Sequence, residues 1–385
     1  MKTNPIRLPI LFSIILLLAS CGEAPLTPTS TSIPIIPSEI ATITAAKDNY
    51  LPTFEAKMTL WASQTAAPTT IPTATPTLVR GNPSAVINAA TITDLQLRKE
   101  FSLGSSVYSV SFSQASSLLA AAPWKGEIKL WNATTLRRIE TAVIAEPASQ
   151  LISQAPDQIS VVKTGDVFDL TTGDLLSSFT GYVFGGKSGV SSDGRMIAVS
   201  SASKLLYENI DVWDLINKKR VITLYGDWAT GDPHGWPVPY YVFFSPDDSL
   251  LVATLNDGST IIWDVASGER VQEFESAAAL VFSHDGTKLA TSLPGGRIGV
   301  YDISTWKPVN TYIASTSTWS AVFTPDDELL IVGTREESNT IWDWKTGDLV
   351  HTISPNGSQL LLSPDGTLLV TYNDGSDDIY LWGVP

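Results

Sequence analysis

One pattern of short strands and tight turns recurs seven times between residues 91 and 385, and it limits the possible folds more than any other feature. The seven units begin at Phe112, Ala155, Ser191, Phe244, Phe282, Phe323 and Leu362. Most of them carry a turn related to Ser-Pro-Asp-Gly, whose residues supply the fixed φ, the side-chain cap and the positive φ of a tight turn. The turn aspartates Asp247, Asp285, Asp326 and Asp365 lie 38, 41 and 39 residues apart.

Each unit contains four short apolar segments that are separated by polar turns. A strand precedes the first turn, a second strand such as LLVAT follows it, and a third strand ends in Trp-Asp or Tyr-Asp before another turn and a fourth strand. Solenoids of helices are excluded because no unit has a helical period. Four strands in about 40 residues are typical of a propeller blade. The sequence therefore predicts an all-β, seven-bladed propeller over residues 91–385.

The Trp-Asp endings at 213–214, 263–264 and 342–343 resemble those of the WD-repeat family. The resemblance covers residues 91–385 and implies a propeller that presents loops to binding partners. The family's Gly-His pair and buried His–Asp network are not repeated, since the three histidines occupy unrelated positions. The second unit has Phe168-Asp169 in place of Trp-Asp. We therefore describe the domain as WD-repeat-like and expect apolar packing to hold its blades together.

The sequence also indicates how the ring closes. The chain given ends just after the third strand of the seventh unit, and the stretch LRKEF at 97–101 resembles the fourth strand ERVQEF at 269–274. We predict that this N-terminal strand completes the last blade, because an open edge would invite aggregation.

The N-terminus reads as a bacterial lipoprotein signal over residues 1–20. A short basic region precedes an apolar run that is too short to span a membrane. Leu18-Ala19-Ser20-Cys21 resembles the lipobox, which implies cleavage before Cys21, a lipid on Cys21 and an extracytoplasmic, lipid-anchored protein. Simple cleavage and an uncleaved anchor are the alternatives. Cys21 is the only cysteine in 385 residues, so no internal disulfide is expected.

Residues 21–90 are rich in Pro, Thr and Ser, which predicts a largely disordered, semi-rigid tether. Within it, Leu51, Phe54, Met58 and Trp61 share one face of a possible short helix near 51–64. This segment is either a marginal helix without a partner or a docking or membrane-surface element. Removal of residues 1–20 leaves 22 basic and 39 acidic residues, a net charge of −17. Such a surface argues against nucleic acid as a partner.

The stretch GYVFGGKS at 181–188 fits the phosphate-loop pattern. That loop works only where it opens a helix, and here another turn and an apolar strand, GVSSDGRMIAVS, follow it. We therefore predict no nucleotide site. No Cys/His metal cluster or Ser–His pair is indicated by spacing, so we expect no metal, no cofactor and no catalytic residues.

An insertion at 227–241 lengthens the junction between the third and fourth units. Its residues Trp228, His234, Trp236, Tyr240 and Tyr241 form a candidate binding surface for protein or sugar. The alternative is a loop that folds these aromatic side chains over its own blade.

A candidate acidic face comes from loops between second and third strands. Its members are Asp257, Glu336, Glu337, Asp374, Asp377 and Asp378. They could attract a cation or a basic peptide, but solvated turn charge is the interpretation that the sequence favours. Hard-cation binding requires six or more converging oxygens.

These features together predict a non-enzymatic, surface-anchored platform that binds a protein partner. Two alternatives stay open. One is an extracytoplasmic sensor that binds a glycan or another ligand, and the other is a propeller hydrolase or lyase whose site the sequence does not reveal.

Overall fold

A computed structural model describes residues 85–139, 150–163, 165–179, 189–203, 206–226, 239–255, 257–275, 278–314, 318–335 and 338–385. Within these ranges the regular structure consists of 28 strands and one short 3-10 helix, Ile92–Asp94. The first strand, β1, is Gln96–Ser102. Residues 21–84 of the predicted tether, which include Cys21 and the segment near 51–64, lie outside the described residues.

The strands form seven four-stranded antiparallel sheets, which are the blades of the predicted propeller. Blade 1 contains β2 (Val107–Phe112), β3 (Leu118–Pro123), β4 (Lys129–Asn132) and β5 (Arg138–Ile139). Blade 2 contains β6 (Gln150–Ala155), β7 (Gln158–Lys163), β8 (Asp166–Asp169) and β9 (Leu175–Ser178). Blade 3 contains β10 (Gly189–Val190), β11 (Met196–Ser203), β12 (Leu206–Asp214) and β13 (Lys219–Tyr225).

The remaining blades follow the same order along the chain. Blade 4 contains β14 (Pro239–Phe244), β15 (Leu250–Leu255), β16 (Thr260–Asp264) and β17 (Arg270–Phe274). Blade 5 contains β18 (Ala278–Phe282), β19 (Lys288–Leu293), β20 (Arg297–Asp302) and β21 (Lys307–Ile313). Blade 6 contains β22 (Thr318–Phe323), β23 (Leu329–Thr334), β24 (Asn339–Asp343) and β25 (Asp348–Ile353). Blade 7 contains β26 (Gln359–Leu362), β27 (Leu368–Tyr372) and β28 (Asp378–Gly383).

The fourth strand of blade 7 is β1, so the predicted ring closure is confirmed. Strand β1 pairs with β28 from Gln96 opposite Gly383 to Ser102 opposite Asp378. The ring of Phe101 also packs against that of Trp131 in blade 1, with 4.5 Å between the ring centroids. The first strand of the domain thus joins its last blade to its first.

Each blade presents two kinds of connection on opposite faces of the ring. Turns between first and second strands, and between third and fourth strands, lie on one face, here called the turn face. Loops between second and third strands, and the links between blades, lie on the other, here called the loop face. First strands of neighbouring blades contact one another around the central channel between blades 1 and 2, 3 and 4, 5 and 6, and 6 and 7.

The apolar core lies in the seams between blades, as expected for a ring without the His–Asp network. Leu251 and Trp263 of blade 4 are fully buried in a cluster with Val212 of blade 3. Phe323 of blade 6 is likewise buried against Val300 of blade 5. Burial of one such side chain contributes about 1.5–3 kcal/mol, so the seams hold the ring closed.

The turn aspartates are explained by a repeated hydrogen-bond pattern. In blade 4, Ser245 Oγ donates to Asp247 Oδ1 at 2.6 Å and accepts the Leu250 N–H at 2.9 Å. The bond from Ser245 is the largest influence on the Asp247 carboxyl and lowers its pKa. The same pattern recurs at Ser283 with Asp285 and in blades 6 and 7.

Residues before β1 pack as a strap against the turn face of blades 6 and 7. Ile87 and Ile92 are fully buried in one cluster with Trp382. The Ile87 N–H donates to the Gly366 carbonyl at 2.8 Å, and the Ala89 N–H donates to Asp326 Oδ2 at 3.0 Å. We call residues 85–95 the strap.

Candidate functional site

Three first strands carry, near the loop face, a β-bulge that holds an aromatic residue. These residues are Tyr108, Tyr240 and Trp319. Each precedes the Ser or Thr of its turn by five positions. A bulge takes one residue out of the normal alternation and re-aims its side chain. The Tyr240 side chain lies outside the described residues, so the geometry below concerns Tyr108 and Trp319.

Both described bulge residues contact the first residue after the second strand of their own blade. The centroids of the Tyr108 and Trp124 rings lie 5.5 Å apart, and the angle between the ring planes is 51°. In blade 6, the guanidinium of Arg335 lies over the Trp319 ring, 4.9 Å from its centroid. Trp124 is 56% exposed. A rigid aromatic side chain is therefore held on the loop face with most of its surface open to solvent.

Blade 7, between these two blades, uses polar groups at the same position. The Ser358 N–H donates to Asn373 Oδ1 at 2.8 Å, and the Asp374 N–H donates to Ser358 Oγ at 3.2 Å. Blade 7 is joined to blade 6 by Asn356 Nδ2, which donates to the Thr334 carbonyl at 3.2 Å.

Blade 7 is also joined to blade 1, where Ser106 Oγ donates to the Gly375 carbonyl at 3.0 Å. The three blades thus present one continuous surface on the loop face. We call it the blade 6–7–1 surface. It consists of Tyr108, Trp124, Arg335 and Asn373, and the buried residues Trp319 and Ser358 lie beneath it.

Among the described residues, the side chains of Gln359 and Tyr241 meet across the central channel next to this surface. Gln359, on the first strand of blade 7, is 4% exposed. Its Nε2 donates to Asp374 Oδ2 at 3.0 Å and to Tyr241 Oη, on the first strand of blade 4, at 3.4 Å. Blades 4 and 7 are not neighbours in the ring, so this contact spans the channel. Burial, together with the charge of Asp374, raises the pKa of the Tyr372 hydroxyl and keeps that group neutral.

The structure places only part of the predicted insertion surface. Trp228, His234 and Trp236 lie outside the described residues. For Tyr240, the backbone in β14 is described but the side chain is not. Tyr241 is half-buried and reaches the channel, where it meets Gln359. It therefore belongs to the channel wall, whereas the role of the other four stays a prediction.

The predicted acidic face is likewise described in part. Glu336 and Glu337 lie outside the described residues. Asp257 Oδ1 accepts hydrogen bonds from the N–H and hydroxyl of Ser259 at 2.9 and 2.6 Å. Such local bonds are typical of turn charge.

The three acidic residues of blade 7 differ in their contacts. Asp377 Oδ2 accepts a hydrogen bond from Ser102 Oγ at 2.8 Å, and Asp378 begins β28. Asp374 meets Gln359 at the channel. Across the described ranges, no group of three or more His, Cys, Asp or Glu residues has the arrangement of a metal site.

The phosphate-loop match at 181–188 lies outside the described residues, but the segment immediately after it is described. Gly189–Val190 form strand β10, and the Ser191–Gly194 turn comes next. A phosphate loop requires a helix at this point, so this surrounding structure does not suit a phosphate. In the part of the chain that the structure describes, no helix is long and apolar enough to cross a membrane.

The residues that sequence reasoning missed are Tyr108, Trp124, Trp319, Arg335 and Gln359. An aromatic residue five positions before the turn Ser or Thr was the available signal, in YSVSFS and WSAVFT. It was not informative alone, because an aromatic residue in a strand is equally typical of a core position.

Comparison with known proteins agrees with this architecture. No family model matches the chain. It is similar to human WD repeat and SOCS box-containing protein 1, with 27% identity over 140 residues, which are 33% of this chain and 33% of that protein. Human pre-mRNA-processing factor 17 is 26% identical over 167 residues, 38% of this chain and 28% of that protein. Transcription factor unc-37 of Caenorhabditis elegans is 27% identical over 145 residues, 37% of this chain and 22% of that protein.

The matched region spans about a third or less of each of these relatives. Together with the seven four-stranded blades, the matches identify the domain as a WD-repeat-like, seven-bladed propeller.

Proposed function

We propose that this chain is a non-enzymatic platform that binds a protein partner on the blade 6–7–1 surface. The observation that carries the proposal is the ring of Trp124, 56% exposed and supported by Tyr108. Tryptophan and tyrosine dominate the energetics of protein interfaces, and a side chain already held in place loses little entropy on binding. The WD-repeat-like relatives support this class of function over catalysis.

The platform is proposed to be extracytoplasmic and attached to a membrane through lipid on Cys21. The support is the sequence alone: a signal-like segment, the lipobox-like Leu18-Ala19-Ser20-Cys21 and a Pro/Thr-rich tether up to the propeller. Two or three acyl chains give stable attachment, because each buried methylene contributes about 0.8 kcal/mol. Replacing Cys21 by Ser should move the protein from the membrane fraction to the soluble fraction. Membrane fractionation that is unchanged in this variant would refute the anchor.

Photo-cross-linking in intact producing cells tests the binding surface. A photoreactive amino acid at position 124 should yield a discrete protein adduct, and Tyr108→Ala, which removes the support under this position, should weaken it. Position 216 is the matched control, because Ile216 is 70% exposed and lies in a turn on the opposite face. Adducts that are the same from both positions would show that the blade 6–7–1 surface is not the interface.

Glycan binding is the second candidate function, and the exposed Trp124 ring favours it too. Apolar faces of sugars stack on such rings, and amide groups such as those of Asn356 and Asn373 lie on the same loop face. Saturable binding of an oligosaccharide that is lost in Trp124→Ala, together with no protein adduct at position 124, would favour this function. Turnover of an oligosaccharide by the full chain would favour the hydrolase or lyase alternative.

A further inference from the structure

We infer that the channel mouth beside the blade 6–7–1 surface receives a basic side chain of the partner, which Asp374 binds. This inference rests on the proposed function and adds the chemistry of the partner to it. It depends on Asp374, Gln359 and Tyr241, which meet at the channel.

Gln359 fixes the position of the Asp374 carboxylate. Its amide is almost fully buried and donates to Asp374 Oδ2 at 3.0 Å, while the backbone N–H of Asp374 donates to Ser358 Oγ. A carboxylate held by a buried donor and by its own backbone is pre-organised for a ligand, so little entropy is lost when a ligand binds.

Within the described ranges, the second oxygen of Asp374 remains available for a ligand. Among the described residues, Oδ1 receives no hydrogen bond, and no Lys or Arg forms an ion pair with this carboxylate. Another cation on the loop face, Arg335, lies over the Trp319 ring. A half-buried carboxylate with no counter-ion among the described residues favours a cation from a partner, and charge-assisted hydrogen bonds are the stronger kind.

The other groups at the mouth suit a guanidinium or ammonium group. The Tyr241 hydroxyl oxygen lies across the channel from Asp374, where it accepts a hydrogen bond from Gln359. On the rim, Trp124 provides an apolar surface for the residue next to the basic one. The strongly acidic composition of the chain adds long-range attraction for a basic partner.

The test is a titration of the full chain, labelled with ¹⁵N-glutamine, with two small probes. The side-chain amide signal of Gln359 is assigned by its loss in Gln359→Asn. N-acetyl-arginine amide should shift this signal in a saturable way. N-acetyl-citrulline amide has nearly the same shape without the charge and should bind at least about tenfold more weakly, as expected for loss of a charged hydrogen bond.

Three variants separate charge from folding. Asp374→Asn should weaken binding of the arginine probe by about tenfold or more, whereas Asp374→Glu, which keeps the charge, should retain most of it. Asp378→Asn removes a charge from the start of β28, just after the same loop, and should leave affinity within about twofold. The inference is overturned if citrulline binds as well as arginine, if Asp374→Asn has no effect, or if the Gln359 signal does not shift. Adducts at position 124 would still support the proposed function in each of those cases.

Discussion

Asp327 Oδ1 in blade 6 accepts a hydrogen bond from the backbone N–H of His284 in blade 5, at 2.7 Å. The second carboxylate oxygen accepts the Asp285 N–H at 2.9 Å, so one side chain binds two consecutive backbone groups across a seam. Asp327 has a positive φ of 53°, a conformation that Asp tolerates better than most residues. The residue thus occupies a strained turn position and uses it to join two blades.

The same link recurs at alternate seams. Asp248 of blade 4, also at positive φ, accepts the Ser192 N–H of blade 3 at 2.7 Å. Where the ring closes, Ser116 Oγ of blade 1 accepts the Asp365 N–H of blade 7 at 2.9 Å. Blades 5 and 7 have Gly286 and Gly366 at the equivalent position. These links supplement apolar packing in a propeller that lacks a repeated histidine network.

Asp327→Ala is expected to destabilise the propeller by about 1–3 kcal/mol, because two backbone donors lose a charged acceptor. Asp327→Gly should recover part of this loss, since glycine adopts positive φ without strain, but it should remain less stable than the parent. Denaturant unfolding at pH 7 measures both. Asp348→Ala, on an exposed strand position, is the control and should change stability by less than about 0.5 kcal/mol. Equal stability of Asp327→Ala and parent would mean that the link contributes nothing.

Acid should destabilise the domain mainly between about pH 4 and pH 2. Hydrogen bonds from the Asn217 backbone and the Arg195 side chain lower the pKa of Asp214 to about 2, and bonds from Ser304 and Lys288 do the same for Asp302. A carboxylate whose pKa is lower in the folded state stabilises that state at higher pH. This contribution disappears as the pH falls through the folded-state pKa.

Asp214→Asn should therefore flatten the acid dependence, with up to one proton fewer taken up on unfolding. Asn132 occupies the corresponding turn in blade 1 and accepts the Thr135 N–H at 2.7 Å, so Asn can make the same cap. Unfolding midpoints at pH 5, 4, 3 and 2 measure the slope. A slope that is the same in parent and variant would show that Asp214 does not titrate differently in the two states.

Ring closure predicts that deleting residues 91–103 destabilises the whole propeller. The deletion removes β1 from β28 and takes away buried side chains that include Leu97 and Phe101. Deleting residues 22–84 keeps the strap and should move the melting temperature by no more than about 2 °C. If both deletion variants have the same melting temperature as the parent, the ring closes in another way.

The strap predicts that substitutions at two neighbouring residues differ sharply in their effect on stability. Ile87 is fully buried, and Ile87→Ala should cost about 2–5 kcal/mol through the cavity it leaves. Val86 is 38% exposed, and Val86→Ala should cost less than about 1 kcal/mol. Thermal unfolding of both variants compares them. Similar small losses at both positions would show that the strap adds little to stability.

Much of the fold followed from the repeat, because a fixed spacing of turns and strands determines blade number and order. The closing strand was predictable for the same reason, since LRKEF resembles another fourth strand. The strap was not, because Ile87 and Ile92 lie at the end of a Pro/Thr-rich segment and are buried only by the surfaces of blades 6 and 7.

The candidate site was less predictable than the fold. A bulge changes the direction of Tyr108 and Trp319 without changing the strand pattern, so sequence alternation does not reveal it. The contact between Tyr241 and Gln359 joins residues 118 positions apart, and only the closed ring brings them together.

The insertion at 227–241 gives the last prediction. Asp193 and Asp247 lie 54 residues apart, whereas later repeats are near 40. Ordering the extra residues costs about 1–2 kcal/mol each in backbone entropy, which either packing or a partner must offset.

If Trp228 and Trp236 contact a partner, replacing both by Ala should change stability by less than about 1 kcal/mol and weaken partner binding at least tenfold. If they pack on the blade, the cost should be several kcal/mol. We expect the first result, and thermal unfolding together with cross-linking yield at position 124 measures it. A double variant that melts far below the parent would show that the insertion is structural, and the blade 6–7–1 surface would remain the candidate interface.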